Sequence, residues 1–517
     1  MQRRTFNLLS LTTALTATLP LPRHAFAQDT QSLAFDPDAF ETLTEAVETD
    51  SGTVNVTYRF WRAIPYVARP VDVAHQSLNI SVPVEIDGVA VDASNAPILF
   101  AISVGGYMPS SVVEAKGVGD TMPARAPAGM APPEGSPPPE GGMSEAPSGS
   151  AAMLAGGKPV SNARLALAAG LVVVEPGARG RTLTDDQGRY YGTAPAAIVD
   201  LKAALRYLRA NRDSIPGNMD RIVSSGTSAG GALSSLLGAT GDSPDYLPWL
   251  AEIGAAETSD AIFAAGCWCP ITDLDHADMA YEWNWGTSPV KDGGQADAAL
   301  STELAGNFAA YQASLGLKTA DGQDLTVETY PEHLLSAFLR PEATAYLQSL
   351  SEDDRAAYLA EHTAITFADG AAQFDWTGFI THTGERKKGL PAFDAFDLST
   401  GENNLFGIDT TEARHFTEWS LRRATGDDNA TLAEDLPEKL RLMNPMVYLA
   451  EGHEGRARHW WLRLGAKDTD TSLTVAGNLD ARLRGLGDAV DTRFYWDEGH
   501  GANTDAAAFI AWIKSLA

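Results

Sequence analysis

Residues 221–240 read RIVSSGTSAGGALSSLLGAT, an apolar stretch that ends on Gly226-Thr227-Ser228-Ala229-Gly230 and runs directly into a helix-prone segment. Few local patterns constrain a chain so strongly. A G-x-S-x-G turn between strand and helix is so sharp that small residues must flank the serine, whose backbone is held under strain. The turn lifts the Ser228 hydroxyl above the end of the strand and leaves the Ala229 N–H free to bind a developing oxyanion. In isolation the pattern also makes an ordinary strand–helix turn. Here the apolar strand before it and the small-residue helix after it point to a nucleophile.

The rest of the chain repeats the same rhythm. Residues 54–66 and 78–86 alternate like strands, and 96–104 (APILFAISV) is a nearly continuous apolar run ending in Gly105-Gly106. Residues 171–176 (LVVVEP) read as another buried strand. Ile198, Leu201, Leu205 and Leu208 fall on one face of a helix that Pro216-Gly217 closes. Strands at 459–464 and 491–496 and an amphipathic helix at 505–516 finish the chain. Apolar strands alternating with amphipathic helices predict an α/β fold, a mostly parallel sheet with helices on both faces. Two stretches break the rhythm. Residues 117–158 shift to Pro, Gly, Ala and Met (APPEGSPPPEGG) and read as a disordered insertion loop. Residues 272–440 are rich in aromatic, histidine and acidic residues and are long enough for an inserted lid domain. The expected organisation is therefore a core over 28–271 and 441–517 with a lid over 272–440.

A serine nucleophile needs a base, and the base needs a carboxylate to orient it. In the α/β-hydrolase arrangement these follow in the order serine, acid, histidine. Among ten histidines, His500 follows the final strand and precedes the final helix, in Asp497-Glu498-Gly499-His500-Gly501. For the acid, Asp468 and Asp470 follow the preceding strand in Gly465-Ala466-Lys467-Asp468-Thr469-Asp470, and Asp468 lies nearer the strand end. One carboxylate would orient His500 and leave the other facing substrate, although Asp470 also has the position of a helix cap. The second oxyanion donor is expected after residues 96–104, from Gly106, with Gly105 and Tyr107 as alternatives.

The remaining features bound location and partners. Arg3-Arg4, an apolar run and Ala25-Phe26-Ala27 form a twin-arginine-like signal peptide over residues 1–27, so the mature chain is expected to be periplasmic or secreted. No later stretch is long and apolar enough to span a bilayer. A formal charge of −29, from 67 acidic against 38 basic residues, argues against nucleic acid and anionic lipid as partners. The two cysteines, Cys267 and Cys269, are two apart in an apparent strand, too far for an unstrained disulfide, and read as buried and reduced. The chemistry calls for no cofactor and no metal.

Taken together, SGTSAGGALSSLLG, C-P-I-T-D-L, K-x-x-P-A-F-D, N-P-M-x-Y, A-K-D-T-D and E-G-H-G resemble blocks of the bacterial tannases (tannin acylhydrolases of the Lactobacillus type), from about residue 96 to the C-terminus. The resemblance implies an α/β-hydrolase that cleaves galloyl esters such as gallotannins and alkyl gallates. It also implies that Lys388, Glu402 and Asp470 bind the phenolic hydroxyls of the galloyl ring, with Lys387 a second candidate for the lysine. Such a trio suits the task, because carboxylates accept phenol O–H bonds and an ammonium stabilises a phenolate-like oxygen. Read without the resemblance, Lys388 belongs to a basic surface run and Glu402 to a solvated turn. Thr227 and Gly501 stand where fungal tannases place a bridging cysteine pair, which sets the chain apart from that group. Feruloyl or chlorogenate-type esters are the near alternative. A non-catalytic binding protein on a hydrolase scaffold is the alternative from a different class.

Overall fold

The computed structural model describes residues 31–120, 122–123, 151–153, 159–294 and 296–516. The signal peptide expected at 1–27 lies outside them, as does most of the Pro-rich insertion. The packed chain reaches further into that insertion than the composition shift suggests. Val118 is fully buried and its N–H donates to the Tyr58 hydroxyl at 3.2 Å, while Asp120 pairs with Arg164. Residues 122–123 pair with 110–111, and 151–153 pair with 159–161.

A ten-stranded sheet forms the core. Its strands are β1 (Glu41–Thr49), β2 (Gly52–Pro65), β3 (Ser77–Ile86), β4 (Ile98–Ala101), β5 (Val172–Pro176), β6 (Ile222–Thr227), β7 (Ala264–Trp268), β8 (His459–Gly465) and β9 (Ala489–Tyr495). They lie in the order β1-β2-β3-β5-β4-β6-β7-β8-β9, with Val89–Ala90 pairing on β3. β1, β2, β3 and β5 pair antiparallel, and every pair from β5 across to β9 is parallel. This is the α/β-hydrolase arrangement. β4, β5, β6 and β7 are buried at every position, which is why β4 and β5 read as nearly continuous apolar runs. Sequence reading missed β1. It is a half-exposed edge strand carrying Glu41, Glu45 and Glu48, charges that also discourage pairing with another chain.

Helices α1 (Asn162–Ala168), α2 (Ala196–Ala210), α3 (Ala229–Ala239), α4 (Leu274–Trp285), α5 (Leu473–Gly485) and α6 (Ala506–Ser515) frame the site. All of α3 is buried, and its small residues are required by how closely it lies on the sheet. A Cβ on Gly231 would meet the Trp268 carbonyl oxygen at 2.4 Å, and one on Gly238 the Trp460 ring at 2.5 Å.

Between β7 and β8 the chain leaves the sheet and returns only after several helices and a two-stranded hairpin, 366–368 with 371–373. Residues 386–394 are fastened back onto α4. The Arg386 guanidinium forms a bidentate pair with Glu282, both side chains fully buried, and Ser301 adds a third donor to that carboxylate. Asp278, also on α4, accepts the N–H groups of Phe393 at 2.7 Å and Asp394 at 3.0 Å. Arg386→Met should therefore lower unfolding free energy by about 3–5 kcal/mol in urea titration, because it strands a buried carboxylate without its partner. A change below about 1 kcal/mol would mean that water reaches Glu282 in its place.

Candidate active site

At the end of β6 the backbone turns on Ser228, which sits at φ 59°, ψ −122°, a left-handed conformation that a side-chain-bearing residue adopts only when its surroundings impose it. They do so from three sides. The Ser228 N–H donates to the Trp268 carbonyl at 3.0 Å. A Cβ on Gly226 would stand 2.3 Å from the Gly230 carbonyl oxygen, and one on Gly230 would stand 2.8 Å from that of Val104. The second contact brings the chain just after β4, and so Gly105-Gly106, against the start of α3. Ala229 opens α3, so its N–H has no acceptor within the helix and carries the positive end of the helix dipole.

The two turns beyond β8 and β9 complete a hydrogen-bonded row. The His500 Nδ1–H donates to Asp468 Oδ2 at 2.8 Å, which leaves Nε2 to accept from the Ser228 hydroxyl at 2.9 Å. Asp468 is fully buried and its other oxygen accepts the Asp470 N–H at 2.9 Å. Burial disfavours a charged His500, but Asp468 first and Cys269 after it outweigh that cost, holding the imidazole well above its ordinary pKa. Of the two carboxylates after β8, Asp468 is thus the one that meets the histidine. Asp470 does not cap α5. Ser472 does, accepting the Thr474 N–H.

Lys388 and Glu402 line one open groove of about 650 Å³, together with Leu390, Phe396 and Thr400. The Lys388 ammonium stands 3.6 Å from the centre of the Phe393 ring. Glu402 lies on a short helix, Gly401–Leu405, capped by the Thr400 side chain. Asp470 pairs instead with Lys387, whose ammonium is 2.8 Å from both carboxylate oxygens and more than half exposed. Burial opposes the charge on Asp470, yet His500, Lys387 and Lys388 together keep its carboxyl below the usual range. The structure therefore separates the two lysines: Lys388 shares the groove with Glu402, and Lys387 holds Asp470.

Sequence reading missed the residues that hold this layout. Arg181 donates from Nε to the Gly106 carbonyl at 2.8 Å and from Nη1 to Asn404 Oδ1 at 2.7 Å, joining the Gly105-Gly106 turn to the helix that carries Glu402. Gly106 and Tyr107 are both left-handed there. Asp394 accepts from His415, Asn403, Phe416 and Thr417 and locks the loop between Lys388 and Glu402. Position in the P-A-F-D block was the one available signal for Asp394. The cysteines are buried and unbridged, but Cys269 is no bystander: its sulfur lies 4.0 Å from His500 Nε2. Among the described residues, Cys269, Asp468 and His500 form one group with metal-ligand spacing, and Asp273, Asp275 and His276 a second. The first is the His500–Asp468 pair of the row described above with Cys269 beside it. In the second, Asp273 accepts from His276 at 2.8 Å and Asn444 at 2.6 Å. Despite burial, the two aspartates push His276 up to about 10, which makes it an ion-paired donor rather than a free ligand.

Comparison with known proteins matches this fold to a family. The tannase of Fusobacterium nucleatum superimposes with a TM-score of 0.74 at 34% identity, covering 93% of this chain and 99% of that one. Native tannin acyl hydrolase from Lactobacillus plantarum gives 0.75 at 33% identity over 94% and 98%. The chain belongs to the tannases. A tannin acyl hydrolase solved in complex with ethyl gallate is similarly close, with a TM-score of 0.74 at 32% identity over 94% of this chain and 98% of that one. The family profile described as BD-FAE matches residues 189–291. Esterase LipC of Mycobacterium tuberculosis (strain ATCC 25618 / H37Rv) is 41% identical over 68 residues, which span 13% of this chain and 17% of that esterase. This tannase is accordingly a carboxylic-ester hydrolase, and the reading as a non-catalytic scaffold falls away.

If the row acts as drawn, Ser228→Ala in this tannase should abolish turnover of a simple ester while circular dichroism and melting stay unchanged, since alanine is no more strained at φ 59° than serine. Asp468→Asn should lose roughly 10⁴-fold and retain a residue of activity from the oxyanion donors. Wild-type turnover in Ser228→Ala would show that another group attacks the ester.

Proposed function

We propose that this tannase is an exported serine esterase that hydrolyses galloyl esters, such as gallotannins and alkyl gallates, through an acyl-enzyme. The observation that carries the reading is the Ser228–His500–Asp468 row, with bonds of 2.9 and 2.8 Å, together with a groove lined by Lys388 and by Glu402, whose helix Arg181 ties to the Gly106 turn. Ser228 Oγ attacks the ester carbonyl as its proton passes to His500 Nε2. Asp468 stabilises the resulting imidazolium and fixes the tautomer. The tetrahedral oxyanion is held by the Ala229 N–H and by one from the Gly105–Tyr107 turn, with Gly106 as the assigned donor. His500 then protonates the departing alcohol, leaving a galloyl ester on Ser228. Water attacks that ester by the same route in reverse roles, which releases gallic acid and restores the serine.

Recognition of the acyl group is assigned to Lys388, Glu402 and Asp470. An ionised Asp470 beside the triad and a glutamate in the groove offer acceptors for phenol O–H groups, and the Lys388 ammonium suits an oxygen with phenolate character. The complex of a related tannin acyl hydrolase with ethyl gallate supports the same acyl group. Residues 272–440 would act as the lid that carries two of these side chains over the triad. Export rests on the N-terminal arginines and the Ala25-Phe26-Ala27 site, and locates the enzyme in the periplasm or outside the cell. No helix among the described residues is long and apolar enough to cross a membrane.

The three recognition residues see the ring hydroxyls alone, whereas the triad sees the ester common to all substrates. Glu402→Ala and Lys388→Ala should lower kcat/KM on methyl gallate tenfold or more, at roughly 1–3 kcal/mol per lost phenol contact. Methyl benzoate, which has no ring hydroxyl, should be affected far less. Asp470→Ala should follow the same pattern. Equal losses on both esters would mean that these residues support the fold or the triad and do not read the ring.

A further inference from the structure

One polar cluster outside the triad joins parts of the chain that are far apart in sequence. Asp497 lies on the turn after β9, three residues before His500, at φ 62°. Its carboxylate takes three donors. The His382 Nε2–H donates at 2.6 Å, the Tyr358 hydroxyl at 2.5 Å, and the Lys467 ammonium stands 2.8 Å away. Tyr358 and His382 come from two helices of the inserted segment, Glu352–Glu361 and Trp376–Thr383. The His382 side chain is 1% exposed and its ring lies flat on Trp496, 4.8 Å away. Lys467 immediately precedes Asp468, and its own N–H donates to the Glu498 carbonyl at 2.9 Å. The acid-bearing turn, the histidine-bearing turn and the inserted segment therefore meet on one carboxylate.

We propose that Asp497 is a positioning residue, a clamp through which the seated inserted segment holds the Asp468 and His500 turns in register for proton transfer from Ser228. The inference rests on the serine-triad reading. A left-handed aspartate is unfavourable unless its surroundings over-determine it, and three donors on one carboxylate do so. Burial opposes its charge, but His382, Lys467 and Tyr358 hold the carboxyl far below the usual range. Glu498, adjacent in the chain, His362, whose ring is 4.6 Å from that of His382, and Tyr346, whose ring is 5.2 Å from that of Tyr358, are the other titratable groups packed around it. The backbone leaves little slack. A Cβ on Gly465 would already stand 2.3 Å from the carbonyl oxygens of both Glu498 and Gly499, so the two turns are packed backbone to backbone. Any shift of the Asp497 turn is thereby passed to the hydrogen bonds of His500.

Two variants of opposite charge change test the clamp. Asp497→Asn keeps the shape, tolerates positive φ and removes a negative charge. Lys467→Met removes a positive one. Acting through space alone, they would move the acid limb of the kcat/KM–pH profile in opposite directions, down for Asp497→Asn and up for Lys467→Met. A loosened clamp instead lowers the limb in both, because His500 loses the carboxylate that stabilises its protonated form. It should also reduce kcat on methyl gallate by about ten- to a hundredfold, with KM changing much less. Tyr358→Phe should shift kcat and the acid limb in the same direction by a smaller amount. Opposite limb shifts, a loss confined to KM, or wild-type kcat and limb in Tyr358→Phe would each overturn the proposal. Should Lys467→Met fail to fold, Lys467→Gln carries the same change of charge. Labelling of the wild-type enzyme by a fluorophosphonate, absent in Ser228→Ala, tests the triad separately, so failure of the clamp and failure of the triad are distinguishable.

Discussion

Ser228 holds a backbone conformation that serine does not choose for itself, and much of the surrounding structure follows from that. A left-handed residue between strand and helix costs about 1–3 kcal/mol. It persists here because the Trp268 carbonyl captures its N–H and because Gly226 and Gly230 let three backbones close around it. The same closeness packs α3 onto the sheet so tightly that Gly231 and Gly238 cannot carry a side chain. The strain lies in a scaffold of strands buried on both faces, which holds the proposed nucleophile in place before substrate arrives.

Against that rigid centre, the groove residues assigned to substrate recognition hang on an insertion held by buried carboxylates. Glu282 grips Arg386, Asp278 grips the backbone of Phe393 and Asp394, and Asp394 grips the far side of the loop through four residues. Burial, with the Asp394 charge beside it, pushes Asp278 up to about 7 against the pull of its two N–H donors. Lys388 and Glu402 are thus presented at the two ends of a braced loop, although the segment contributes no strand to the sheet. Arg181 carries the bracing across to the Gly106 turn, so that the groove proposed to bind the ring and the expected oxyanion site share one support.

The sequence was most legible where one residue type alone satisfies the geometry. The elbow, the buried strands β4 to β8 and the placement of His500 and Asp468 could be read because steric limits and chain order leave few choices. β1 was not legible, since Glu45, paired with Arg164, interrupts the apolar alternation of Leu43 and Val47 on its more buried face. Long-range polar contacts were equally silent: nothing local to Arg181, Cys269 or Asp497 says which carbonyl, imidazole or helix of the inserted segment it will meet. The residues proposed for recognition fall between these extremes. Lys388 and Glu402 rest on family blocks, and the groove they share became visible only in three dimensions. The helix-capping role open to Asp470 went to Ser472, because the helix begins two residues later than the local pattern allowed.

The central claim is that the groove reads a hydroxylated benzoyl group, and the most direct measurement is a comparison of kcat/KM for methyl gallate, ethyl ferulate and chlorogenate with the released acid quantified. A ring held directly by Lys388, Glu402 and Asp470 predicts that methyl gallate exceeds both cinnamoyl-type esters by at least about tenfold, the value of one well-placed polar contact. Ferulate or chlorogenate cleaved as fast as gallate, or faster, would contradict the account.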